Sequence, residues 1–162
     1  MIPAMKSFAA RFVLAAVVVI PLAHRTLAQG PTIAVVVSPK NALASLSLGE
    51  LRKIFSGDKR SWPDGTRIKL FSRGPGTPER AALLKLLGKS ETEYKQYWAG
   101  KVYQGEAESE PMVLPSVGVQ KEALKAYPGA IALFDSADVK ADMKVVKVDG
   151  KLPEDSGYPL NR

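Results

Sequence analysis

The chain of 162 residues contains no cysteine, and its only histidine, His24, stands among the first 28 residues. Without thiols there is no disulfide to staple the fold and no acylated cysteine of the kind that tethers a bacterial lipoprotein. Beyond residue 28 thiol catalysis and histidine-based triads are excluded. A zinc site would have to rest on carboxylates alone, which is unusual. Asp135, Asp138, Asp142 and Asp149 could in principle do acid and base work, but they read more simply as turn and surface residues. The one glycine-rich loop, Gly74-Pro75-Gly76-Thr77, lacks the lysine and the spacing of a nucleotide-cradling P-loop. No basic stripe interleaved with aromatics argues for nucleic acid. No catalytic residue, cofactor or metal is therefore expected, and the chain reads as a non-enzyme.

Long apolar runs are also missing. The longest, Phe12 to Ile20, is well short of the roughly 20 residues that cross a bilayer. It follows Lys6 and Arg11 and precedes a small-residue exit at Thr26-Leu27-Ala28, the pattern of a secretory signal peptide over residues 1–28, cleaved after Ala28. A membrane anchor is the alternative. Removing Lys6, Arg11 and Arg25 lowers the formal charge from +7 to +4, so part of the basic balance serves targeting. The rest suits a small anion or an acidic partner, and equally suits solubility. Residues 29–162 are predicted to form one freely soluble domain, large enough to bury a core without disulfides.

Periodicity then orders that domain. Ile33 to Val37 is a continuous β-branched run, expected as a strand covered on both faces. Ser47 and Glu50 stand in capping-box spacing ahead of a short helix carrying Leu48, Leu51, Ile54 and Phe55. Arg67 to Phe71 alternates as a half-buried strand, and Pro78 to Leu87 follows as a helix stopped by Gly88. Ser90 and Glu93 cap a third helix with Tyr94, Tyr97, Trp98 and Val102 along one side, better read as core packing than as a stacking platform. Gly105 to Pro111 is acidic and predicts an exposed loop. Val113 to Ala126 reads as a weak helix, and Ala130 to Phe134 and Met143 to Val148 as strands. Strands alternating with helices predict an α/β layered domain with a mixed sheet.

A helix N-terminus offers unpaired amides and about half a positive charge, enough to hold an oxyanion. Gly76 and Thr77 introduce such a terminus. Gly74 and Gly76 let a ligand approach the backbone, Thr77 adds a hydroxyl, and Arg73 and Arg80 could add charge-assisted contacts. The alternative is that Thr77 only caps its helix and the glycines only turn the chain.

The run from Leu46 to Gly57, Trp62 to Ile68 and Pro75-Gly76-Thr77 resembles the second lobe of the phosphate substrate-binding proteins of bacterial ABC importers. The far end is similar too, in Pro128-Gly129-Ala130-Ile131 and in Asp149-Gly150, Pro153, Tyr158-Pro159-Leu160 and Arg162. The resemblance implies one lobe of a type II periplasmic-binding-protein fold, with a mostly parallel mixed sheet flanked by helices. It further implies a periplasmic location, phosphate as the default ligand and an ABC permease or another membrane or periplasmic protein as partner. Trp62 matches a family tryptophan and is expected to pack under its turn. Two departures stand against phosphate contacts: Pro75 replaces a serine, bringing neither hydroxyl nor amide donor, and Phe71 occupies the place of the family's arginine, with Arg73 as the nearby substitute. The first lobe has no counterpart, so the site is expected to lie open, with weak affinity or with a homodimer or another protein completing the cleft. A second reading makes the lobe an interaction or sensory module without transport duty.

Overall fold

A computed structural model describes residues 32–161. The leader predicted over residues 1–28 and Arg162 lie outside the described residues. Strand β1, Ile33–Val37, is buried at every position. Strand β2 is Ser45–Leu46, and helix α1, Leu48–Phe55, starts on the expected capping box, Ser47 Oγ accepting from the Glu50 amide and Glu50 Oε2 from the Ser47 amide, both at 3.1 Å. Strand β3, Lys69–Arg73, leads through Gly74–Thr77 into α2, Pro78–Leu87, which ends on Gly88 in the left-handed conformation. Helix α3, Glu91–Tyr103, starts on the Ser90 and Glu93 box. Then come β4, Met112–Leu114, α4, Val117–Ala126, β5, Ala130–Asp135, a 3-10 turn, and β6, Lys144–Val148.

The strands form one six-stranded sheet in the order β2-β6-β1-β5-β3-β4. Only β1 opposes its neighbours, pairing antiparallel with β5 and β6, while β2 with β6, β3 with β5 and β3 with β4 are parallel. The alternation of side chains along β1 divides the core in two. Ile33, Val35 and Val37 join a cluster with Leu51, Phe55, Leu83, Tyr94 and Trp98, the layer made by α1, α2 and α3. Ala34 and Val36 join Phe71, Leu114, Ala132 and Leu124, the layer made by α4. The result is three layers, helices against both faces of a mostly parallel sheet.

Two expectations are corrected. Val113 to Ala126 is not one helix: its start is strand β4, and Pro115 and Ser116 separate strand from helix, since proline disfavours a helical residue before it. Val102 is 41% exposed, and the buried side of α3 runs through Tyr94, Trp98 and Lys101 instead, the spacing that keeps three residues on one face. The aromatic stripe itself packs in the core through Tyr94 and Trp98.

The similarity-bearing motifs hold the layers together. Trp62 is buried, and its indole nitrogen donates to Gly129 O at 3.1 Å, while Lys69 N donates to the same carbonyl at 3.0 Å. A Cβ on Gly129 would lie 1.9 Å from Arg67 O, so only glycine admits this approach of β5 to the start of β3. At the other end Tyr158 Oη donates to Ile33 O at 3.0 Å, and Leu160 O accepts from Ile33 N at 3.3 Å, which pins the turn-rich tail against β1. Burial raises the Tyr158 phenol above its ordinary range. We expect Gly129→Ala to destabilise the domain by about 2–3 kcal/mol through overpacking against backbone; a thermal melt within a degree of the parent would contradict the contact.

Candidate functional site

Arg73 and Leu114 are register partners at the carboxyl ends of the parallel strands β3 and β4. From there the chain departs in two directions: β3 feeds α2, whose Leu83 and Leu86 pack on one face of the sheet, and β4 feeds α4, whose Leu124 packs on the other. Adjacent parallel strands with connections to opposite faces leave a crevice outside their carboxyl ends, the place where open α/β sheets accept ligands.

The Gly74–Thr77 turn forms one lip of that crevice. Gly76 takes φ +84°, a left-handed conformation natural to glycine. A side chain there would meet nothing within 4 Å, so the turn is open on that side. Thr77 is fully used as a cap: Oγ1 accepts from Arg80 N at 3.2 Å and donates to Gly74 O at 2.9 Å. Ala81 N closes on Thr77 O, and Pro78 carries no N–H. That leaves the Glu79 amide as the first-turn donor of α2 without a protein acceptor among the described residues. Arg73 spans the two strand ends, donating from Nη1 to Leu114 O at 2.8 Å, with its Nε buried and unpartnered.

Arg80 lies in a different setting. Its guanidinium binds Glu91 through two bonds, Nε to Oε2 at 3.0 Å and Nη2 to Oε1 at 2.6 Å, and stacks 4.0 Å from the Tyr94 ring centre. Burial opposes its charge, but the Glu91 pair and Tyr94 outweigh that and raise its basicity. The Arg80 partner holds the Glu91 carboxyl below its usual range, and burial pushes the Tyr94 phenol up to about 12. The fold thus brings Arg73, Gly74, Gly76 and Thr77 to one turn, while the Arg80 fork works in the α2 and α3 seam.

The second lip, Leu114 to Ser116 opening α4, carries no motif of its own and falls inside Val113 to Ala126, whose residue pattern suits a helix. Ser116 Oγ accepts from Val119 N at 3.2 Å, the same capping arrangement as Thr77. Glu91 was likewise silent in sequence, because its pairing with Arg80 needs α2 and α3 to pack. Among the described residues no cluster of acidic or histidine side chains is arranged to hold a metal ion, and no helix is long and apolar enough to cross a membrane.

A sequence profile of the PBP superfamily domain matches residues 9–160. The chain belongs to this family. Three solved structures share the fold of this PBP domain. A protein from Clostridium perfringens, described as a phosphate ABC transporter substrate-binding protein and solved with phosphate bound, has a TM-score of 0.65 at 20% identity, over 82% of this chain and 53% of that one. PstS from Borrelia burgdorferi has a TM-score of 0.60 at 15% identity, over 82% and 55%. An ABC-type phosphate transport receptor from Vibrio cholerae has a TM-score of 0.59 at 16% identity, over 76% and 48%. The PBP domain thus spans about half the length of the structures it matches. No curated protein matches it.

The pair Arg80 and Glu91 should mark the acid limb of stability. A carboxyl whose folded pKa is lowered stabilises the fold above its unfolded value, near 4.5, and loses that contribution as pH falls through the folded pKa. We expect Glu91→Gln to cost about 1–2 kcal/mol at pH 7, and the gap to parent in urea titrations to close on acidification below that value. A gap independent of pH would show that the ion pair is not its source.

Proposed function

We propose that this PBP domain is an exported, non-catalytic solute-binding domain that takes up a small oxyanion, phosphate as the first candidate, in the crevice between the carboxyl ends of β3 and β4. The observation that carries the reading is the open Gly74–Thr77 turn, with the Glu79 amide unengaged at the start of α2 and Arg73 at the end of the strand that feeds the turn. Oriented amides at a helix N-terminus hold an anion without reorganisation, and Arg73 adds a charge-assisted donor. Gly74 and Gly76 give access and Thr77 fixes the turn, while Arg80, paired with Glu91, holds α2 against α3 rather than facing the ligand. The structures it resembles, one solved with phosphate bound, support the ligand class.

Export rests on the signal-peptide pattern of residues 1–28, with Ala28 as the cleavage point and residues 29–162 as the domain that remains. The crevice is bounded on one side by this domain only. A second surface, from an importer permease, another periplasmic protein or a second copy of the chain, completes it in this reading.

Pro75 and the half-length match favour a second reading, an interaction or sensory module in which the turn serves only to cap α2. Calorimetric titration with phosphate, sulfate and acetate separates the two. Saturable heat with phosphate, weakened about tenfold by Arg73→Ala through loss of a charged hydrogen bond, is the expected outcome; no heat at millimolar phosphate would leave the second reading.

A further inference from the structure

At the other end of the same two strands, beside the amino ends of β3 and β4, a groove of about 680 Å³ opens under the acidic segment 105–111. Its size is that of an ordinary small-molecule site. Ile68, Leu70, Met112 and Trp98 give it apolar walls. Trp98 is 2% exposed, and its indole N–H is buried without an acceptor. Lys59, Arg60, Arg67 and Lys69 line it together with Glu106, Glu108 and Glu110; Lys59 is paired with Glu50 at 3.2 Å and Lys69 lies over the Tyr127 ring, which leaves Arg60 and Arg67 as its less committed cations.

The acidic segment covers this basic side unevenly. Its amino end is pinned, since Glu106 N and Ala107 N both donate to Lys101 O, at 2.8 and 3.2 Å, and Lys101 is itself held by Asp58 at 2.7 Å. From Glu108 to Pro111 the only polar tie among the described residues is Glu108 Oε1 to Arg67 Nη1 at 2.9 Å, between side chains 80% and 72% exposed. Exposed pairs of this kind contribute little. Glu110 pairs with no cation among the described residues. The Glu108 carboxylate therefore sits on Arg67 beside the apolar walls of the groove, held weakly enough to be replaced by another carboxylate.

We infer that this groove is a second binding site, separate from the Gly74–Thr77 turn, for an organic anion with an apolar body: the anionic head takes the place of Glu108 on Arg67, and the body lies along Ile68, Leu70 and Met112 toward Trp98. An inorganic anion lacks the apolar part that the walls would bury, and a neutral apolar molecule lacks the group that answers Arg67.

Octanoate is the probe, with 1-octanol as its neutral counterpart and phosphate as competitor, in calorimetric titrations of the full domain. Octanoate should bind one to one and more tightly than octanol. Arg67→Ala should weaken it about threefold and Glu108→Gln strengthen it about threefold, the scale of one exposed ion pair. Both side chains are exposed, so the melting temperatures of the variants should stay at the parent value. No saturable heat, equal affinities for octanoate and octanol, an octanoate affinity unmoved by both variants, or displacement of octanoate by phosphate would each overturn the inference.

Discussion

Strand β1 opposes its neighbours in direction and buries all five side chains, and that two-sided burial is the constraint from which the layers follow. Apolar residues at successive positions of a strand point to opposite faces, so both faces need cover. Ile33, Val35 and Val37 call for the α1, α2 and α3 layer, and Ala34 and Val36 for α4. On the α4 side the small Ala34, Ala130 and Ala132 lie beside the large Phe71 and Phe134, and Val139 and Met143 join α4 in covering them. The C-terminal tail returns to the same strand through Tyr158 and Leu160, which both bond Ile33 and so hold the start of β1.

The same layering creates the crevice. Because β3 connects to α2 on one face and β4 to α4 on the other, two capped helix starts, Thr77 and Ser116, stand beside the register pair Arg73 and Leu114. Neither turn makes this place alone. The polar groups around it are used unequally: the Thr77 hydroxyl and the Arg80 fork are spent inside the fold, whereas the amide of the buried Glu79 has no protein acceptor among the described residues and Gly76 is open on one side.

Legibility in the sequence followed locality. Capping boxes at Ser47 and Ser90, the proline and glycine that bracket α2, and the β-branched run of β1 are local signals, and the elements formed where those signals stand. Strand β4 was not legible: three residues between prolines have no period of their own and become a strand only by pairing with β3. The two-residue β2 is formed by pairing with β6 for the same reason. Within the candidate site, the turn and its glycines could be read from residue types, but Arg80 could not, because a side chain at the start of a helix reaches solvent, ligand or neighbour according to what packs beside it.

The sequence by itself determined the locally signalled helices, the two-sided core strand and the glycine-rich turn ahead of α2, since each depends on residues within one or two turns of chain. Only the tertiary structure decided the direction of β1, the side of the sheet each helix covers, the commitment of Arg80 to Glu91 and the groove beneath the acidic segment. Those depend on contacts between residues far apart in the chain, whose energies exist only once the layers have closed on one another.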